Sequence, residues 1–119
     1  MNFIHKELAA GRWLEFSFME QMANIGSEVE RAIKWRSINP DMRRKAFERG
    51  LELLWLTKGD PRNRDRLREL TRLYEVMVDY FHGENRYQSS DELWHKYFRP
   101  FNWAARAGAK NRLARVTCP

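Results

Sequence analysis

The sequence predicts an all-α protein, an antiparallel four-helix bundle followed by a basic tail, on three observations. Apolar residues recur at three- and four-residue steps through four segments, the spacing that lines one face of a helix. Helix-starting and helix-stopping residues divide these segments at short intervals, which favours antiparallel neighbours. No stretch sustains the alternation of a strand, and no Asn-Gly or Asp-Gly turn joins two β-branched runs.

The first helix is expected from about Gly11 to Arg36, with Leu14, Phe18, Met22, Ile25, Val29, Ala32 and Ile33 on its inner face. It stops before Pro40, whose ring disfavours a helical Asn39. Asn39 then caps the second helix, with Pro40 in its first turn and Phe47, Gly50, Leu51 and Leu54 facing inward. Gly59 ends that helix, and Asp60-Pro61 repeats the cap-then-proline pattern. The third helix carries Leu67, Leu70, Tyr74, Met77, Val78 and Phe81, and Gly83 stops it. Ser89 and Glu92 fit a capping box for the fourth, whose inner row is Trp94, Tyr97, Phe98, Phe101 and Ala105. Pro100 is expected to kink or interrupt this last helix. Residues 1–107 therefore read as one domain, and residues 108–119 as a mobile basic tail without an apolar row.

Apolar residues also lie off the main rows: Phe16, Met19 and Ala23; Leu53 and Leu56; Leu73, Val76 and Tyr80. Surplus apolar faces need cover. Either Phe3, Ile4 and Leu8, with Trp13, Trp35 and Trp55, fold over them, or they meet another subunit or partner. The second reading makes Phe16, Met19, Leu53, Leu56, Leu73, Val76 and Tyr80 interface candidates.

The 119 residues carry a net charge of +6, but unevenly. Residues 1–92 balance 16 basic against 16 acidic side chains, whereas residues 93–119 hold Lys96, Arg99, Arg106, Lys110, Arg112 and Arg115 and no acid. Only this end invites a polyanion, and Arg106, Lys110, Arg112 and Arg115 are the nucleic-acid candidates. The apolar runs fall short of a membrane span. Glu7 and Arg12 interrupt any signal-like start, and the single Cys118 cannot form a disulfide within the chain. A cytoplasmic protein is the expectation.

Three constellations bear on chemistry. Glu75, Asp79 and His82 project from one side of the third helix and make a weak metal candidate, with Glu28 or Glu30 available to complete it. Ferritin-type di-metal sites need two Glu-x-x-His pairs and the chain does not hold two, so a salt-bridged flank is the favoured reading. His82 and His95 lack an arginine at the four-to-six-residue spacing of helical ribonucleases; Arg72 and Arg86 stand ten and nine residues upstream. Ser89, Ser90, Asp91 and His95 contain the elements of a hydrolytic set, but the capping box accounts for the serines. Arg62, Arg64, Arg66, Arg68 and Arg72 alternate with acids and read as a salt-bridged surface.

The segments GSEVERAIKW (26–35), LTRLYEVMVDYFHGENRYQSSDE (70–92) and KYFRPFNWAARA (96–107) resemble a family of short, uncharacterised prokaryotic α-helical proteins. The resemblance implies a helical fold and brings no catalytic residue or cofactor with it. In DYFHGENRYQSSDELWHKYF the aromatic residues read as packing at a helix corner, and Glu84, Asn85 and Tyr87 as a small recognition surface. The function expected is a non-catalytic, self-associating interaction module. The alternative is a nucleic-acid-associated protein working through its basic end.

Overall fold

The computed structural model describes the backbone of residues 11–117 and the side chains of residues 11–108. Phe3, Ile4 and Leu8 lie outside the described residues, as do the side chains of Lys110, Arg112 and Arg115. Among the described residues the protein is all-α: four helices, α1 (Phe18–Trp35), α2 (Pro40–Lys58), α3 (Leu67–His82) and α4 (Asp91–Thr117), with 3-10 turns at Arg12–Glu15 and Pro61–Arg66. Among the described residues there is no strand, and no helix is long and apolar enough to cross a membrane.

The first helix starts later than its sequence suggests. Phe16 is extended, and Ser17 forms a capping box in which its hydroxyl accepts from Glu20 N at 3.2 Å while Ser17 N donates to the Glu20 carboxylate at 3.1 Å. The preceding 3-10 turn turns Trp13 inward and leaves Leu14 exposed, contrary to the expected inner row. The Asn39 cap forms as expected, accepting from Asp41 N and Met42 N.

The α3 row is rotated. Asp60 caps a 3-10 turn rather than the helix itself, and α3 begins only at Leu67. Leu70, Leu73, Met77 and Phe81 are buried, whereas Leu67 and Tyr74, expected inside, are exposed. The α4 cap moves by one residue. Ser90, not Ser89, accepts from Leu93 N at 3.2 Å, while Ser89 exchanges backbone hydrogen bonds with the Asn85 side chain. The helix then passes Pro100 and residue 108 without a break. Pro100 and Lys96 both face solvent, the side on which a helix tolerates the hydrogen bond that Pro100 cannot donate.

α1 packs most closely on α2 and then α4, each running antiparallel to it. At the α1–α4 crossing a Cβ on Gly26 would stand 2.8 Å from the Phe98 ring, so glycine sets how near these helices come. α2 meets α3 through Phe47 and Phe81, with ring centres 5.2 Å apart.

A buried polar network ties the chain start to the α2–α3 connection. Trp13 Nε1 donates to Thr57 Oγ1 at 3.0 Å, and Gln21 Nε2 donates to Asp60 at 2.9 Å. Asn63 Nδ2 donates to Gln21 Oε1 and to the Thr57 carbonyl. Arg62 folds back on Asp60, 2.7 Å away, and its hydrogen bonds outweigh burial to hold that carboxyl at about 2, below its ordinary 3.8. Nothing in the periodicity of the sequence signals this cluster.

Candidate functional site: the cleft between the third and fourth helices

α3 and α4 run antiparallel but approach closely at few points, and a cleft of about 380 Å³ separates them. Its walls are Leu73 and Val76 from α3 and Leu93, Trp94 and Tyr97 from α4, with Glu69, Arg72 and Ser89 at the margins. Two tyrosines span its ends. Tyr97 Oη donates to Glu69 at 3.2 Å, and Tyr80 Oη donates to Asp91. At the Tyr80 end Arg36 joins from α1, giving hydrogen bonds to Tyr80 Oη at 3.1 Å and to Asp91 at 2.6 Å. Three helices are thereby fastened at one end of the cleft.

These contacts fix the charge states. Burial, then the adjacent Glu69 carboxylate, pushes the Tyr97 hydroxyl up from its ordinary range. Burial and the hydrogen bond to Asp91 also push Tyr80 up, so both tyrosines remain protonated donors at neutral pH. Burial opposes the Asp91 charge, yet the hydrogen bonds from Tyr80 and Arg36 outweigh it and lower its pKa. Arg72 is drawn away from the cleft centre, its guanidinium 4.5 Å from the centre of the Tyr87 ring. The result is a largely apolar receptacle. Trp94 forms part of its wall, and its indole N–H is buried without a hydrogen-bond partner among the described residues. An unmade bond of this kind costs about 1–3 kcal/mol.

The structure sorts the interface candidates. Leu53 and Leu73 are 4% and 6% exposed and belong to the chain's own core, so they are not free surface, although Leu73 still edges the cleft. Phe16, Leu56, Val76 and Tyr80 are partly buried against that core, and Met19 is exposed. Of the three tryptophans expected to cover surplus faces, Trp13 is buried and Trp55 is exposed. Leu93, 53% exposed at the cleft rim, was missing from the sequence reading. Its signal was an apolar residue next to, and outside, the fourth helix's inner row.

The metal candidate does not assemble. Both Asp79 oxygens are taken by the loop that follows, accepting from Arg86 N at 2.8 Å and Tyr87 N at 3.0 Å. The His82 ring stands edge-on to Phe47, with centres 4.7 Å apart. Glu28 is paired with Arg31 and Arg49, and Glu30 with His95 at 2.5 Å. No group of three metal-ligating side chains converges among the described residues. The hydrolytic set likewise dissolves, because Ser90 caps α4 and His95 faces Glu30.

The recognition candidates divide. Asn85, in the left-handed region at φ 55°, spends its amide on Ser89, while Glu84 and Tyr87 are exposed on the same loop. The arginines from 62 to 72 depart from the expected salt-bridged surface: Arg62 pairs with Asp60, but Arg66 lies over Phe18 and Arg72 over Tyr87. Of the nucleic-acid candidates, Arg106 is described and exposed. Comparison with protein-family models, curated proteins and solved structures returns no match, so the site stands on its own geometry.

Proposed function

We propose that this protein is a small, cytoplasmic, non-catalytic interaction module with a four-helix-bundle arrangement, and that it self-associates through the α3–α4 cleft. One observation carries the reading: the apolar cleft has its own apolar rim residue. Leu93 stands beside the pocket formed by Leu73, Val76, Trp94 and Tyr97. A twofold axis places the same patch on both partners, so each copy can set Leu93 into the other's cleft.

Light scattering on the size-separated protein tests this. The unaltered chain is expected to run as a dimer, and Leu93→Arg or Val76→Arg as a monomer with unchanged helical circular dichroism. Both side chains are at least partly exposed, so a folded monomeric variant is attainable. A monomeric parent chain across the accessible concentration range would sink the proposal.

A further inference from the structure

Trp103 is 74% exposed, the most open of the large hydrophobic side chains described. It lies nine residues beyond the buried Trp94, which at about 100° per residue puts it on the opposite side of α4, about 180° away. No packing requirement of the chain explains a tryptophan there. Its neighbours on that outer face are Lys96, Arg99 and Arg106, all exposed, and none is ion-paired within the described residues. Positions 96, 99, 103 and 106 fall within about 80° of arc, so the cations and the ring form one row along some 15 Å of helix. In sequence the same spacing continues at Lys110, whereas Arg112 and Arg115 leave the row. Glu92, one turn before Lys96, is the last acid on it.

We infer that this row is a binding site for single-stranded nucleic acid, with the Trp103 indole stacking on a base and Lys96, Arg99 and Arg106 meeting the flanking phosphates. The chemistry selects that occupant. A row of cations without acids calls for a polyanion. An aromatic face set among them needs a flat, unpaired partner, which bases in a duplex do not offer. An anionic membrane is less suited, because interfacial helices bury a broad apolar face and here the ring is isolated among charges. A second copy of the chain would bring the same uncompensated positive row against itself. The site is thus separate from the cleft, and of the expected set Arg106, Lys110, Arg112 and Arg115 it keeps Arg106 and adds Lys96, Arg99 and Trp103 on the outer face of α4.

The test is fluorescence anisotropy of a labelled oligo(dT) of about 16 nucleotides with the full chain at several salt concentrations. At about 0.7 per phosphate contact, log affinity is expected to fall against log salt with a slope of roughly −2, or −3 with Lys110 engaged. Trp103→Ala should weaken binding at least about fivefold, and Trp103→Phe should restore part of the loss. Arg99→Ala with Arg106→Ala should flatten the slope. No binding at low salt, an unchanged affinity in Trp103→Ala, or binding to phosphatidylglycerol vesicles but not to the oligonucleotide would each overturn the inference. Trp103 is exposed, so its variants are expected to keep the helical spectrum of the parent.

Discussion

Gly26 and Gly50 look alike in the sequence, a glycine inside each of two amphipathic helices, but the structure gives them opposite tolerances. A Cβ at Gly26 would meet three atoms of the Phe98 side chain within 2.9 Å, and Phe98 is fully buried and cannot swing aside. At Gly50 the nearest atoms are Glu28 Cβ at 3.4 Å and Met77 Cε at 3.6 Å, which is ordinary contact. Alanine in a helix gains up to about 1 kcal/mol over glycine, and overpacking costs about 1–3 kcal/mol. Gly26→Ala should therefore be net destabilising and Gly50→Ala neutral or stabilising by up to about 1 kcal/mol. Urea unfolding of the two variants decides it; equal effects would mean that α1 and α4 do not pack through that contact. Trp103 is the other residue whose meaning depends on position alone. The same side chain that would be core at Trp94 becomes a displayed ring nine positions later.

Between elements, the Trp13–Gln21–Thr57–Asp60–Asn63 network does what the short connections cannot. It holds the entry to α1 against the exit of α2 and fixes where α3 begins. At that junction Asp60 uses its cap on Arg62 N at the 3-10 turn, and the α-helix proper starts only at Leu67. The network also makes a pH prediction. Asp60 is 2% exposed and its folded-state pKa, about 2, lies below the ordinary 3.8. Its contribution is therefore full above about pH 4 and is lost as pH falls towards 2, amounting to about 2 kcal/mol. Asp60→Asn should be less stable than the parent at neutral pH, and the gap should narrow on acidification through that window. Thermal unfolding followed by circular dichroism at several acid pH values reads the difference. A gap that stays constant would show that the Asp60 charge is not what the Arg62 contact stabilises.

At the scale of the whole molecule, α1 is the helix that α2 and α4 share, and the α3–α4 pair is left open. α4 has 27 residues against 18 in α1, about 40 Å against 27 Å, so its last turns outrun the start of α1. One molecule thus offers two unlike surfaces: an apolar cleft between α3 and α4, and a basic outer row on α4. If the cleft closes by self-association, folding and assembly are linked by mass action. The melting temperature should then rise with protein concentration for the parent chain and stay fixed for Val76→Arg. A concentration-independent melting temperature in the parent would count against the cleft as a subunit interface.

The all-helical class, the cap at Asn39, the stop at Gly83 and the inward Trp94–Phe98 row were legible in the sequence. Each depends on neighbours within a turn or two, where backbone geometry and periodicity act directly. Which surplus apolar residues are core and which are surface was not legible. Leu53 is buried because α2 packs on both α1 and α3, Leu73 is buried although it edges the cleft, and Val76 and Leu93 are left at that cleft because α3 and α4 are held apart. The metal trio failed for the same reason: sharing a helix face does not make Asp79 and His82 converge once a loop and Phe47 have claimed them. Local sequence determined that there are helices and, at Asn39 and Gly83, where they begin and end. Only the tertiary structure decided which of their faces are covered, because burial is a property of what packs opposite, and residues far apart in the chain supply it.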